Sequence, residues 1–564
     1  MSNDSVDGSF SRGALILALI QASALWLLHQ SIVSHIWPAT DSGSLLSAYL
    51  VTIFLPLTLL VLWPHRRDKA LWWATSALAG FLAWAGYQSL AGLPVPIHEI
   101  NLDEDRIAGF LLPWGVAWLI ALPMLRARLE VGRWRTPYAV LFRSSWRSCL
   151  MLAESALFTG VFWLLLLLWA ALFNTLGNDF FSTVFSDPRF IYPATTLAFA
   201  AATQIIGGSD RFIDGVLDQL LGLMKWLLPL AGVIVIAFSI ALLPKLPALF
   251  GSGERVINSS ILLALVAVAL LLFNAAYREG NDDPGYGRWL AQGLRVVPPL
   301  LVLIALTALY SLAVRLIDLG LTPARYWGLT TAVFAVLYSA GYAYASVRPG
   351  PWLGAVKEVN FLVSVALLAA LLVSLTPIAD PLRLSVASQL KRAIDARDAE
   401  SQTSALRFLR FDASERGRDV LDAIVRGEVS ARESTRSAAL REEARQVAAL
   451  KSKRELSKAD PAATPERYMS WRSRLQVIPS DIALSPSLEE ALRTEFSISA
   501  SILDPDNNPV APRLVFVDLD GDDTPEALLW AGAPRGEPKR LRDYRIFRNV
   551  DGRWSRWSSS SQTN

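Results

Sequence analysis

Apolar residues fill the first two thirds of the chain in runs of about twenty, separated by short polar breaks. A helix of that length crosses the ~30 Å hydrocarbon core of a bilayer. Eleven such runs are legible, near residues 13–34, 44–63, 70–92, 107–125, 148–175, 190–207, 219–243, 259–277, 296–317, 323–346 and 358–378. Lipid offers the backbone no hydrogen-bond partners, so each run is predicted to be a helix. The sixth is the weakest, because Pro193, Thr195 and Thr196 polarise its start. The first does not read as a cleaved signal peptide. Its leader, MSNDSVDGSFSR, carries two Asp and one Arg in place of a basic stretch, and no small-x-small site follows promptly.

After Pro381 the pattern changes twice. Residues 385–458 are rich in Ala, Glu, Arg and Leu at helical spacing, in SQLKRAIDA, ALRFLRF, RDVLDAIV and AALREEARQVAALKSKREL. Opposite charges recur three and four residues apart, which supports solvated helices. Pro and Ser punctuate 461–480. Beyond them the period shifts to two, and FSISASIL, RLVFVDL, EALLWAG, YRIFRNV and RWSRW are predicted to be short strands. The expected fold is therefore mainly α, a polytopic transmembrane helix bundle over residues 1–380. An extracytoplasmic helical region over 381–460 and a small β-rich extracytoplasmic module over 461–564 follow it.

Composition agrees with this division. The 564 residues are 18% charged, against roughly 25% in an average soluble chain. The deficit is local: residues 1–380 hold 23 Lys+Arg and 22 Asp+Glu, whereas 381–564 hold 30 and 28. A net charge of +3 without a long basic run excludes a dedicated nucleic-acid binder. The single cysteine, Cys149, excludes an intramolecular disulfide and a CxxC zinc site; it is expected to be a buried, inert thiol. None of the four histidines is paired at i,i+4, and no Walker A loop, GxSxG elbow or internal repeat is found. An ATP-driven pump and a serine hydrolase are disfavoured, and no catalytic residue is assigned.

Lys and Arg between the runs set the expected orientation. With the N-terminus in the cytoplasm, inner segments hold 16 Lys+Arg and outer segments six. Eleven spans then place the tail on the far side. The inner loop VGRWRTPYAVLFRSSWR interleaves Arg133, Arg135, Arg143 and Arg147 with Trp134, Tyr138 and Trp146. That mixture suits a short helix on an anionic leaflet, or a simple positive-inside anchor.

Three groups of residues are candidates for chemistry. In RLVFVDLDGDDTPEALLW, Asp518, Asp520, Asp522 and Glu526 occupy relative positions 1, 3, 5 and 9, with the Thr524 carbonyl available at 7. Alternate acids in a tight turn aim oxygens at one centre, as Ca²⁺ requires. Asp523 stands where an EF-hand needs Gly, and strands are expected to flank the loop; it resembles the calcium loops of FG-GAP repeats. The alternative is a metal-free Asp/Gly hairpin turn. Glu154 and Lys225 lie inside the fifth and seventh runs, where ionisable residues mark a cavity or partner. They are placed to form a pair, or to snorkel to the interface. In the outer loop, His98, Glu99, Asp103, Glu104 and Asp105 suggest either a base or metal site of a lipid-linked transferase or a solvated acidic loop.

The ordered series FWLLLLLWAALFNTLGNDFF, FIYPATTLAFA, WLLPLAGVIVIAFSIALL, LLFNAAY, LGLTPARYWGLT, YSAGYAYA and DPLRLSVASQLKRA resembles the DUF4153 family of bacterial inner-membrane proteins, over roughly residues 140–420. Leu319 stands where an aromatic residue is expected. The resemblance implies a multi-pass inner-membrane protein; the family has no assigned reaction, so no site residue follows from it. The expected function is a non-enzymatic membrane scaffold or binding protein with a periplasmic module. Its expected partners are the bilayer and an envelope protein engaged through the C-terminal region. One alternative is a transporter or channel for a small or lipidic substrate, lined by Glu154 and Lys225. The other is a lipid-linked glycosyl or group transferase.

Overall fold

The computed structural model describes residues 11–90, 104–207, 210–247, 258–280, 285–349, 351–396, 398–429, 434–450, 465–479, 484–503, 511–519, 524–530, 544–550 and 553–556. The chain divides into two compact units, Met1–Ala423 and Ile424–Asn564.

In the first unit every predicted apolar run is a helix. These are α1 (Arg12–Val33), α2 (Ser42–Val61), α3 (Lys69–Leu90), α4 (Glu104–Val131) and α5 (Tyr138–Asn174). After a short α6 (Phe180–Ser186) come α7 (Pro188–Gly207), α8 (Asp210–Leu242), α9 (Ser259–Tyr277) and the short α10 (Arg288–Leu294). The series ends with α11 (Val297–Leu319), α12 (Pro323–Val347) and α13 (Val356–Ser374). Among the described residues, eight stretches are long and apolar enough to cross a membrane; α3, α4 and α12 fall outside that set. Tryptophan, tyrosine, glycine, serine and threonine dilute α3 and α12. The weak sixth run forms a full helix, α7, in which Thr195, Thr196 and Thr203 satisfy their hydroxyls on carbonyls four residues back.

Side-chain caps mark several helix starts. Asp41 accepts from Ser44 N–H before α2, Asn258 from Ser260 N–H before α9, and Thr322 from Arg325 N–H before α12. Gly320, at φ +69°, stops α11 in the left-handed region that favours glycine. The main core joins α8, α9, α11 and α12 around Leu228, Val266, Phe273, Leu301, Ile304 and Tyr342. A second joins α2 to α5 around Leu62, Leu71 and Leu122.

The polar contacts sort the helix termini into two ends. At the first end, Trp63 Nε1 donates to Ser11 Oγ, Arg143 meets Glu279 and Arg278 meets Asp218. At the second, Arg416 bonds both Asp380 and the Gln88 carbonyl, and Gln389 holds Leu319 and Leu321. Tyr326 meets Ser374 there, and His29 packs on Tyr192. The described helix termini joined by these contacts fall at the ends that up-and-down alternation of the apolar helices requires.

Three further helices follow: α14 (Pro381–Asp395), α15 (Ala399–Phe411) and α16 (Ser414–Arg426). Through Gln389 and Arg416, α14 and the start of α16 pack within the first unit.

In the second unit, α17 (Ser434–Ala449) precedes α18 (Pro465–Arg474), β1 (Gln476–Ile478) and α19 (Pro486–Leu503). Strands β2 (Arg513–Val517), β3 (Glu526–Trp530), β4 (Tyr544–Val550) and β5 (Arg553–Arg556) complete a sheet ordered β1-β2-β3-β4-β5. The β1–β2 pair is parallel and the rest antiparallel. Tyr468, Trp471, Leu488, Leu492 and Phe496 from α18 and α19 pack on Leu514, Ala527, Leu529 and Phe547 of the sheet.

Two expectations are corrected here. FSISASIL is the end of α19 and not a strand: Phe496 extends the helical spacing of Leu488 and Leu492, and that face packs on the sheet. The stretch 131–147 is not a separate surface helix. Gly132, at φ +78°, breaks the chain after α4, and Tyr138 already opens α5.

Candidate functional site

Helix α5 contains 37 residues, about 55 Å at ~1.5 Å per residue. A bilayer core of ~30 Å therefore leaves several turns outside it, and the first of these carry two of the four candidate arginines. Arg143 Nη2 reaches Glu279 Oε1 at 2.6 Å, and Arg147 Nε lies 4.0 Å from Asp214 Oδ1. The first ties α5 to the segment after α9, and the second brings it beside the start of α8. Arg133 and Arg135 are exposed in the turn between α4 and α5. Cys149 is exposed on α5, contrary to the expectation of a buried thiol; it falls outside the face that packs on the bundle.

Glu154 and Lys225 do not meet. Lys225 Nζ lies 5.0 Å from the centre of the Tyr286 ring, whose hydroxyl donates to the Lys225 carbonyl at 2.5 Å. The ammonium therefore turns toward the loop that closes the first end, against Gly285, where an added Cβ would come within 2.5 Å of it. Glu154 is half-buried, and its Oε2 is enclosed without a hydrogen-bond partner. Arg147 stands seven residues earlier, two turns along the same helix face.

A polar network that the sequence reading did not single out lies at the first end. Asn360 Oδ1 accepts from the Tyr342 hydroxyl at 2.9 Å, and Asn360 Nδ2 donates to the Tyr138 hydroxyl at 2.9 Å. Asn274 Nδ2 reaches the Tyr342 oxygen at 3.4 Å. The Tyr277 ring packs beside Tyr138, and its hydroxyl donates to the Gly354 carbonyl. These residues come from α5, α9, α12 and α13, with Tyr342 1% exposed. For Asn274, Tyr342 and Asn360, a polar side chain in the last or first turn of an apolar run was the available signal.

The acidic loop closes the β2–β3 hairpin, in which Val517 faces Glu526. Asp520 and Asp522 lie outside the described residues. Asp518 and Thr524 are exposed, whereas Glu526 is 1% exposed. Its Oε2 accepts the Leu519 N–H at 2.9 Å, and Oε1 lies 3.8 Å from Arg548 Nε. Glu526 thus holds the backbone at Leu519, the last described residue before the loop. Among the described residues, no group of three His, Cys, Asp or Glu side chains is placed to hold a metal. His98, Glu99 and Asp103 also lie outside the described residues, as do the side chains of Glu104 and Asp105.

Against known proteins, no family model, no curated protein and no solved structure matches the chain.

Proposed function

We propose that this chain is a multi-pass membrane scaffold or binding protein of the DUF4153 type, without enzymatic activity, in a bacterial inner membrane. Its N-terminus faces the cytoplasm, the eleven helices all span, and the C-terminal region is a periplasmic module that engages an envelope protein. The observation that carries this reading is the contrast between the two units. The first exposes broad apolar faces: 11% of the most apolar stretch of α5, and of α13, is buried. The second has its own core of Trp471, Phe496, Leu514 and Phe547. Exposed Trp73, Trp134 and Trp289 at the first end suit an interfacial aromatic belt. C-terminal reporter fusions to the full chain test the arrangement. Alkaline phosphatase is expected to be active and green fluorescent protein dark; the reverse pattern removes the periplasmic module.

Asp518, Asp520, Asp522, Thr524 and Glu526 are the proposed Ca²⁺ ligands. The hairpin placement of the loop supports this; the inward partners of Glu526 weigh against its joining. Millimolar Ca²⁺ is expected to raise the unfolding temperature of the full chain by mass action, and Asp520→Ala to abolish the rise. No shift would leave a plain turn.

A second reading, transport, is favoured by one observation, the enclosed and unpartnered oxygen of Glu154. Proton flux in proteoliposomes that is lost in Glu154→Gln would replace scaffolding with this reading. Absence of flux in the wild type retires it.

A further inference from the structure

Positive charge gathers at the second end of the bundle, around the close of α11. Arg325, in the first turn of α12, donates from Nη1 to the carbonyls of Leu319 at 2.8 Å and Gly320 at 2.6 Å. Arg392, near the end of α14, donates from Nη1 to the same Leu319 carbonyl at 3.4 Å and from Nη2 to Ser401 Oγ at 3.3 Å. Two guanidinium groups therefore converge on one oxygen. Arg315 stands one turn before Leu319 on α11, and its charge and that of Arg392 are the ones that reach Arg325. All three arginines are half-buried.

Among the described residues, no carboxylate is ion-paired with Arg315, Arg325 or Arg392. Asp318, three residues past Arg315, is exposed. Asp398 feels the charge of Arg392, but its carboxylate caps α15 through the Ser401 N–H at 2.7 Å. The carbonyls at the end of α11 offset part of the charge. Among the described residues, the hydrogen bonds of Arg325 run through Nη1, and none is made by the Arg315 fork. Gly320 makes the approach possible: a Cβ there would meet Gln389 Nε2 at 2.7 Å and Arg392 Cδ at 3.3 Å. Planar guanidinium forks match the oxygens of phosphate in pairs.

We propose that Arg315, Arg325 and Arg392 form a binding site for a phosphate-type oxyanion at the second end of the helix bundle. Its source is an anionic phospholipid headgroup or free phosphate. Only the lipid source rests on the membrane reading above.

The test uses the purified full-length protein in an uncharged detergent, with phosphatidylglycerol, phosphatidylcholine or inorganic phosphate added separately. Unfolding temperature and retained mass are the readouts. Phosphatidylglycerol is expected to bind and stabilise where phosphatidylcholine does not. Arg315→Gln, which removes a side chain that makes no hydrogen bond among the described residues, is expected to keep the fold and weaken binding about tenfold, the worth of one charge-assisted contact. Arg392→Gln is expected to act in the same direction. A response to inorganic phosphate alone keeps the site and makes free phosphate its ligand. Equal behaviour of the two lipids with no phosphate response overturns the proposal, as does wild-type affinity in both variants. Either failure leaves the reporter-fusion result untouched, so the two readings fail separately.

Discussion

Glu495 and Arg545 meet at 2.9 Å with 2% and 9% of their side chains exposed. A carboxylate so enclosed depends on its partner, because desolvation has removed the water that would otherwise hold its charge. Arg545→Met is expected to destabilise the second unit by about 3–5 kcal/mol, and adding Glu495→Leu to recover most of it. Chemical denaturation followed by tryptophan fluorescence reads both. His65 supplies a pH signature in the first unit. Burial holds its imidazole below the ordinary histidine range, and the charge of Glu130 opposes the shift. As pH drops, the unfolded chain takes up this proton first. The stability contributed by neutral His65 is therefore full above about pH 6.5 and declines below it. His65→Gln is expected to flatten the dependence of unfolding temperature on pH in that window. At this scale the sequence named Glu154, Lys225 and Glu526 as unusual from their residue type and neighbours. It did not disclose that Lys225 turns to Tyr286 or that Glu526 bonds Leu519, because those partners lie far along the chain or on the inside of a turn.

Among the elements, α5, α9, α12 and α13 are tied by the Tyr138–Asn360–Tyr342–Asn274 network. Tyr342→Phe keeps the ring and removes the hydroxyl that serves both amides. It is expected to cost about 1–3 kcal/mol, the penalty of leaving buried polar groups unmatched, read as a lowered unfolding temperature in detergent. Asn360→Asp is a harsher change, since it puts a charge between two tyrosines. Helices were readable wherever an apolar run was long, because length and composition suffice for a helix in lipid. The terminal region shows the limit. FSISASIL alternates like a strand, yet Phe496 completes a helical face that packs on the sheet. Strand β1, three residues long, exists through its pairing with β2 and has no pattern of its own. The arginine-rich stretch 131–147 looked like one amphipathic piece; Gly132 divides it between two long helices.

For the whole molecule, the decisive property is the sorting of loops into two ends. Arg135→Cys and Leu176→Cys, placed near opposite ends of α5 in a chain with Cys149→Ser, are expected to label differently. A membrane-impermeant maleimide should reach position 176 in intact cells and position 135 only after permeabilisation. Equal labelling of both would overturn the alternation. The sequence by itself determined which segments of the first unit are helical and apolar, and where the charge-poor body ends. Those properties depend on the solvent each residue prefers and on short-range spacing. Only the tertiary structure decided which polar groups meet: that LGLTPAR receives Gln389 and Arg392 from DPLRLSVASQLKRA, that Arg143 is taken by Glu279, and that Glu154 is left without Lys225. Such pairings depend on helix rotation and packing between segments tens to hundreds of residues apart, and local pattern carries no record of them.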